Sequence, residues 1–244
     1  MKRLVLSIAT VLLSFPNISG QTKAYFPGLT RISIDTTYNV YFGYDKTTSR
    51  FTNTPCHLLN KKDPLYCEFP DSMLETWSLV AKYKSKAFKD SLNIVYSQGM
   101  SADPGFVVAT KGGRILDTFS CLEFYINSSG TIYTSGHVNS MYNRRRKFQI
   151  QVDTILEVQQ PYYYVGMKGK SLKDITLFKD RVGNDIVAQV PKDNEIEILL
   201  AYGTKKDFEA DNLFLVKTDF GIVGWLRLEG YEDQVLEDLY YKGD

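Results

Sequence analysis

Short stretches of alternating apolar and polar residues recur along the chain, and this period of two predicts β-strands. Residues 32–44 alternate in this way around a break near 35–37, which predicts one or two strands. Further on, tight turn signals separate three pairs of such stretches: 106–110 with 114–119, 122–126 with 131–134, and 147–152 with 155–159. Connections this short permit only antiparallel pairing, so we predict a meander sheet.

The period changes between Asp71 and Ser91. One side of a helix would here carry Leu74, Trp77, Val80 or Ala81, and Lys84. Asp71 suits the N-cap, because its carboxylate can accept hydrogen bonds from the first turn. We therefore predict one helix that ends before Ser91, followed by a strand at 91–96. Packed against the meander, this helix would give residues 21–161 an α+β fold.

The last third of the chain alternates again, and its turns carry their own signals. The apolar stretches lie at 175–180, 186–200 and 213–228. Gly221 offers the left-handed conformation that a tight reversal needs, and Gly224 leaves room for a neighbouring strand. Asn194 tolerates a positive φ, so we expect it to be the left-handed residue of the preceding turn. These features predict a small all-β unit.

This order of strands and turns, closed by Gly221-Ile-Val-Gly-Trp225, resembles the bacterial SH3-like domains of cell-envelope proteins. The resemblance covers 175–228 and implies a β-barrel over residues 162–230, with Trp225 packed over one end. It departs from the family at 179–184, where the family has an Arg-Ser-Gly-Pro loop. As a recognition module, such a unit would contact its ligand through aromatic side chains. The candidates are Phe178, Tyr202, Phe220 and Trp225.

The composition agrees with a mainly β protein, because 17 Tyr and 14 Phe favour strands over helices. Basic and acidic residues nearly balance, at 29 and 28, and so give no electrostatic footprint for nucleic acid. Residues 231–244 form an acidic tail. Its residues Val235, Leu236, Leu239 and Tyr240 have helical spacing, which leaves a short helix and a frayed end as alternatives.

The N-terminus predicts export. Lys2 and Arg3 precede an apolar run from Leu4 to Phe15, and small residues lead up to Gly20. This is the pattern of a secretory signal peptide, residues 1–20, and it is too short to span a membrane. We expect a mature chain without a transmembrane segment, in the periplasm or outside the cell.

Three cysteines in an exported chain leave one unpaired after any single disulfide. Cys56 and Cys67 lie on either side of the turn-rich segment 60–64, so the chain can fold back and bring them together. We predict a Cys56–Cys67 disulfide. Cys121 lies in an apolar run, 119–125, and is expected to be free and buried.

The sequence contains no motif for a cofactor or a catalytic metal. The two histidines, His57 and His137, are not part of Cys/His clusters at metal spacing, and no phosphate loop or dinucleotide fingerprint is present. We therefore expect neither a cofactor nor an enzyme. One alternative is a Cys/His cell-wall peptidase, because residues 134–138 resemble the strand that carries the histidine in those enzymes. Cys121 would be its nucleophile, although a strand-like run is a poor setting for a reactive thiolate.

Arg144, Arg145 and Arg146, followed by Lys147, form the basic run of the chain. It is either a solvated loop between strands or a site for an anionic glycan, a carboxylate-bearing peptide or lipid head groups, since guanidinium groups bind carboxylates bidentately. Together these features favour an exported, non-enzymatic binding or scaffold protein of the bacterial cell envelope. Its partner would be a cell-wall peptide or glycan, or an envelope protein. The alternative is a structural subunit of a larger envelope complex, without a ligand groove.

Overall fold

The computed structural model describes residues 25–60, 62–63, 77–84, 88, 90–99, 103–202, 213–230 and 232–243. In these ranges the chain is mainly β, with 56% strand and three sheets, which confirms the predicted class at that level. The described residues form no α-helix, and a single 3-10 turn spans Cys56–Leu58. No helix among them is long and apolar enough to cross a membrane. Residues 1–20, the predicted signal peptide, lie outside these ranges.

The strands are numbered along the chain. They are β1 (Thr30–Asp35), β2 (Val40–Tyr44), β3 (Ser49–Pro55), β4 (Trp77–Lys84), β5 (Ser91–Ser97), β6 (Gly105–Thr110), β7 (Ile115–Ser120), β8 (Glu123–Ile126), β9 (Thr131–Gly136), β10 (Arg144–Ile150), β11 (Ile155–Glu157), β12 (Tyr162–Lys170), β13 (Ile175–Phe178), β14 (Ile186–Val190), β15 (Glu195–Tyr202), β16 (Leu213–Thr218) and β17 (Val223–Arg227).

Two sheets build the N-terminal unit and pack face to face. The first has the order β1-β2-β8-β9-β10-β11, and the second has the order β3-β4-β5-β6-β7. Phe42 and Phe124 of the first sheet share one core with Ile94 and Phe106 of the second. The fold of this unit is therefore a sandwich of two sheets.

The helix predicted between Asp71 and Ser91 is wrong where the structure describes it. Trp77–Lys84 is β4, a strand that pairs with β3 on one side and β5 on the other. Leu79 packs into a small core on one face of the second sheet, whereas Val80 and Tyr83 pack into the main core on the other. Leu79, Val80 and Ala81 form a short run buried on both faces, and periodicity alone cannot distinguish such a run from part of a buried helix.

All three predicted hairpins form, as β6–β7, β8–β9 and β10–β11. They do not belong to a single meander. After β7 the chain crosses to the first sheet, where β8 pairs with β2 in parallel and Tyr41 lies opposite Glu123. The prediction of antiparallel hairpins is confirmed, and the prediction of one sheet with a helix on it is corrected.

The third sheet forms the C-terminal unit, in the order β12-β15-β16-β17-β13-β14. It is not closed into a barrel, because the edge strands β12 and β14 do not pair, and this corrects the predicted closed cylinder. Its inner side chains still share one core, which includes Tyr163, Leu177, Ile198 and Phe214.

The glycines of the β16–β17 hairpin have the predicted roles. Gly221 has a φ of +96°, and a Cβ at Gly224 would lie 2.6 Å from Val187 Cγ2 and 2.8 Å from Leu177 Cβ. At the earlier turn the left-handed residue is Asp193, with a φ of 65°, and not Asn194 as predicted.

The acidic tail is neither helical nor frayed over residues 232–243. Val235, Leu236 and Leu239 are buried in the core of the third sheet. Lys242 then pairs with Ser140 of the N-terminal unit in an isolated β-bridge. The tail therefore links the two units.

Candidate functional site

The outer face of the first sheet carries two rows of side chains that run across its strands. In the first row the register aligns Tyr41, Glu123, Ser135 and Arg145. In the second row it aligns Gly43, Tyr125, Tyr133 and Lys147. Because side chains alternate between the two faces of a strand, these rows point away from the sandwich core.

Tyr125 forms the floor of this face because Gly43 has no side chain. A Cβ at Gly43 would lie only 2.1 Å from Tyr125 Cδ1, so the phenol ring occupies the space above β2. Phe26, in the segment before β1, packs on both tyrosines, with ring centroids 4.9 Å from Tyr125 and 4.6 Å from Tyr133. These three rings form one continuous floor.

Arg31 fixes the floor from the side of β1. Its Nε donates to Tyr125 Oη at 3.0 Å, and its Nη2 donates to Glu123 Oε1 at 2.9 Å. The guanidinium carbon lies 3.4 Å from the centroid of the Tyr41 ring. Burial, together with the charge of Glu123, raises the pKa of the Tyr125 phenol, which therefore stays neutral and can accept the hydrogen bond from Arg31.

Between this face and the segment containing Tyr25 and Phe26 lies a cleft of about 570 Å³, which we call the outer cleft. Its far side is formed by Asn143, Val158 and Gln160, at either end of the β10–β11 hairpin. A volume of this size is in the range of small-molecule sites, about 300–1,000 Å³. The outer cleft was not predicted from the sequence, apart from the basic run at its edge.

The three arginines of that run belong to β10 and not to a loop, and the alternation of the strand separates them. Arg145 is exposed and lines the outer cleft. Arg146 Nε donates to Glu157 Oε1 at 3.0 Å, and the guanidinium carbon of Arg144 lies 4.6 Å from the centroid of the Tyr163 ring. Arg145 and Arg146 both line the outer cleft, but the guanidinium of Arg146 is paired with Glu157.

Glu157 connects this strand to the C-terminal unit. Tyr163 Oη donates to Glu157 Oε1 at 3.1 Å. Burial opposes ionisation of Glu157, but the hydrogen bond from Arg146 and its charge outweigh it and hold the pKa of the carboxyl below its usual value. Glu157 therefore neutralises Arg146 and leaves Arg145 and Lys147 as the cations of the cleft face.

The two residues of the peptidase alternative, Cys121 and His137, lie in different surroundings, the first in the core and the second beside the outer cleft. Cys121 is free and 1% exposed, as predicted for a buried small residue, and burial strongly raises the pKa of its thiol. A thiol in this setting stays protonated and is a poor nucleophile. His137 lines the outer cleft, and its Nε2 lies 2.9 Å from the carbonyl oxygen of Tyr240.

The structure describes one of the two cysteines of the predicted disulfide. Cys56 is a free, buried thiol, and burial raises its pKa to about 11. Cys67 lies outside the described residues, but a free thiol at Cys56 contradicts the predicted Cys56–Cys67 disulfide. In the described part of the chain, no three His, Cys, Asp or Glu side chains are grouped as a metal site.

Three of the four aromatic candidates of the C-terminal unit come together on the outer face of the third sheet. Phe178 and Trp225 are paired residues of β13 and β17. Tyr162 joins them, with its ring centroid 6.2 Å from that of Trp225 and 6.1 Å from that of Tyr202. We call these four residues the aromatic surface. Trp225 thus lies beside other rings on the outside of the sheet, and not over a barrel end as predicted.

Two arginines extend the aromatic surface. The guanidinium carbon of Arg181 lies 4.0 Å from the Tyr202 ring centroid, and that of Arg227 lies 4.3 Å from the Phe178 ring centroid. Phe220 is separate, at the tip of the β16–β17 hairpin, where it is 92% exposed. Tyr162 is not among the aromatic candidates predicted from the sequence, because its neighbours in this surface come from distant strands.

Comparisons with family models, with curated proteins and with solved structures find no match for this chain.

Proposed function

We propose that this chain is an exported, non-enzymatic binding protein of the bacterial cell envelope, and that its C-terminal unit is an SH3-like recognition module of open form. The glycine-containing β16–β17 hairpin and the single core shared by the six strands support the relationship to that family. The pattern of residues 1–20 supports export. The aromatic surface is the recognition site, and its ligand is a cell-wall peptide or glycan.

The observation that carries this proposal is the grouping of Tyr162, Tyr202, Trp225 and Phe178 with two stacked arginines. Rigid aromatic rings and guanidinium planes supply contact area at a low entropic cost, which is why they dominate binding sites. Arg227 also donates hydrogen bonds to the backbone carbonyl oxygens of Arg181, at 3.1 Å, and Asp180, at 3.3 Å, and so holds the loop beside these rings in place.

The test is retention of the purified exported chain on peptidoglycan sacculi. Trp225→Ala removes the central ring and should weaken retention by about tenfold, as expected for the loss of an aromatic anchor. Phe220→Ala is the matched control, because Phe220 is exposed and lies outside the aromatic surface. Circular dichroism checks that both variants fold, and Arg227→Gln tests the same surface without loss of a ring.

Two results would contradict the proposal. If the unaltered chain is not retained, the cell wall is not its ligand. If Trp225→Ala and Arg227→Gln are both retained like the unaltered chain, the aromatic surface is not the site.

A second function, that of a structural subunit, is favoured by a separate observation. Ile186, Val187, Val223 and Phe220 are exposed apolar residues on the edge strand β14 and the adjacent hairpin. Exposed apolar residues in a group are typical of protein–protein contacts. Ile186→Asp would then abolish association with an envelope partner in co-purification and leave retention on sacculi unchanged.

A further inference from the structure

We propose that the outer cleft of the N-terminal unit is a second ligand site, which binds a small oligosaccharide carrying a carboxylate group. This site is separate from the aromatic surface and does not depend on the function proposed for it.

The charges of the cleft favour an anionic ligand. Glu123 is paired with Arg31, and Arg146 is paired with Glu157. Within the part of the chain that the structure describes, the side chains of Arg145 and Lys147 have no such carboxylate partner, and both are exposed on the cleft face. Two residues apart on β10, they project from the same face about 7 Å apart along the strand. An entering carboxylate can therefore bind Arg145 bidentately, with Lys147 as a second charge.

The floor calls for a flat, partly apolar ligand. Phe26, Tyr41 and Tyr133 present aromatic rings to the cleft, and the C–H face of a sugar ring packs well on such rings. Arg31 holds Tyr125, Glu123 and Tyr41 through its three contacts, so the floor has its shape before a ligand enters. Preorganisation of this kind lowers the entropic cost of binding.

The rim of the cleft favours a ligand that carries hydroxyl groups. Its neutral hydrogen-bonding side chains are those of Asn39, Ser135, Asn143 and Gln160. Ser135 Oγ donates to Asn143 Oδ1 at 2.8 Å, and Gln160 Nε2 donates to the carbonyl oxygen of Arg145 at 3.0 Å, which orients these side chains at the rim. Amides and hydroxyls can each donate and accept, which matches the mixed donors and acceptors of a sugar. A fatty acid would make no hydrogen bonds with these groups beyond its carboxylate, and a neutral glycan would leave the two cations without a partner. An acidic sugar has a C–H face for the aromatic floor, hydroxyl groups for the rim and a carboxylate for the two cations.

The experiment is calorimetric titration of the purified exported chain with two probes. One is a disaccharide of glucuronic acid and N-acetylglucosamine, and the other is the same disaccharide with glucose in place of glucuronic acid. We expect the acidic probe to bind and the neutral probe to bind at least about tenfold more weakly, because the loss of a charge-assisted pair has an effect of that size.

Four variants locate the site. Arg145→Gln and Lys147→Gln should each weaken binding of the acidic probe, with the larger loss, about tenfold, for Arg145→Gln. Arg114→Gln makes the same charge change on an exposed residue of the β6–β7 turn, in the second sheet, and should have no effect. Trp225→Ala should also have no effect, because it alters the aromatic surface.

The proposal is overturned if neither probe binds, if the neutral probe binds as well as the acidic one, or if Arg145→Gln and Lys147→Gln leave the affinity unchanged. Loss of binding in Trp225→Ala alone would assign the acidic probe to the third sheet. Each of these results leaves the sacculus experiment to be judged by itself, since that experiment depends on Trp225 and Arg227.

Discussion

Gly43 shows how a single residue shapes a site without contacting a ligand. It lies on the outer face of β2, opposite Tyr125 on β8, and the phenol ring fills the space that a side chain would take. The same ring accepts a hydrogen bond from Arg31 and packs on Phe26. The position of the cleft floor therefore depends on residue 43 being a glycine.

Gly43→Ala should displace the Tyr125 ring and destabilise the fold by about 1–3 kcal/mol, the usual cost of overpacking. The new Cβ would lie 2.1 Å from Tyr125 Cδ1, so the ring must move. Urea unfolding measures the loss in the free energy of unfolding, and titration with the acidic disaccharide measures the loss of the cleft. Gly28→Ala is the control, because a Cβ there has nothing within 4 Å. Equal stability of the two variants would contradict the placement of Tyr125.

Some of these residue roles could be predicted from the sequence. The turn glycine Gly221 and the close approach at Gly224 follow from the chemistry of the hairpin, which is local. Gly43 could not be predicted, because the ring that excludes a side chain there comes from β8, far along the chain. The alternation of Glu123 and Tyr125 was visible in the sequence, but its parallel pairing with β2 was not.

At the scale of strands, Asp35 joins the first sheet to the second. It ends β1, and its Oδ2 accepts from Tyr96 Oη at 2.7 Å and from Gln98 Nε2 at 3.1 Å, both at the end of β5. Its Oδ1 accepts from the backbone N–H groups of Thr37 and Tyr38, at 2.8 and 3.2 Å, in the turn towards β2. Burial opposes ionisation, but these hydrogen bonds outweigh it and hold the pKa of Asp35 below its usual value.

Asp35→Asn should lower the free energy of unfolding at neutral pH by about 1–3 kcal/mol, because an amide accepts fewer of these hydrogen bonds. The pKa of Asp35 is lower in the folded than in the unfolded chain, so its stabilisation is present above the unfolded value of 3.8 and is lost as the pH falls through the folded value. Urea unfolding between neutral and acidic pH should therefore show a smaller loss of stability with acid in the variant.

Asp153→Asn, which removes a carboxylate from an exposed turn, is the control for this experiment and should have the same free energy of unfolding as the original chain at neutral pH. If Asp35→Asn lost stability with acid as steeply as the original chain, the carboxylate would not be the link between the two sheets.

The elements themselves were only partly predictable. Hairpins were predicted correctly, because their turn residues and strands are adjacent in sequence. β4 was predicted as a helix, because three consecutive buried residues, Leu79, Val80 and Ala81, interrupt its alternation where the register shifts. The open third sheet was predicted as a barrel, since closure depends on whether β12 meets β14, and no local signal encodes that contact.

At the scale of the whole molecule, the two units are joined by more than their connecting segment. Met141 and Tyr142, between β9 and β10 of the first sheet, are buried in the core of the third sheet. In the other direction, the tail buries Leu239 in that core and then pairs Lys242 with Ser140. Each unit thus contributes residues to the packing or pairing of the other. We therefore predict that the two units unfold together.

Leu239→Ala tests this coupling, because Leu239 is fully buried and close to the point where the tail returns to the N-terminal unit. The cavity should cost about 2–5 kcal/mol. If the units unfold together, thermal unfolding of the variant remains a single transition at lower temperature, and amide hydrogen exchange speeds up in the strands of all three sheets. Glu237→Ala, an exposed position on the same tail, should change neither. Two separate transitions, with faster exchange confined to the third sheet, would show instead that the sandwich is stable without its tail.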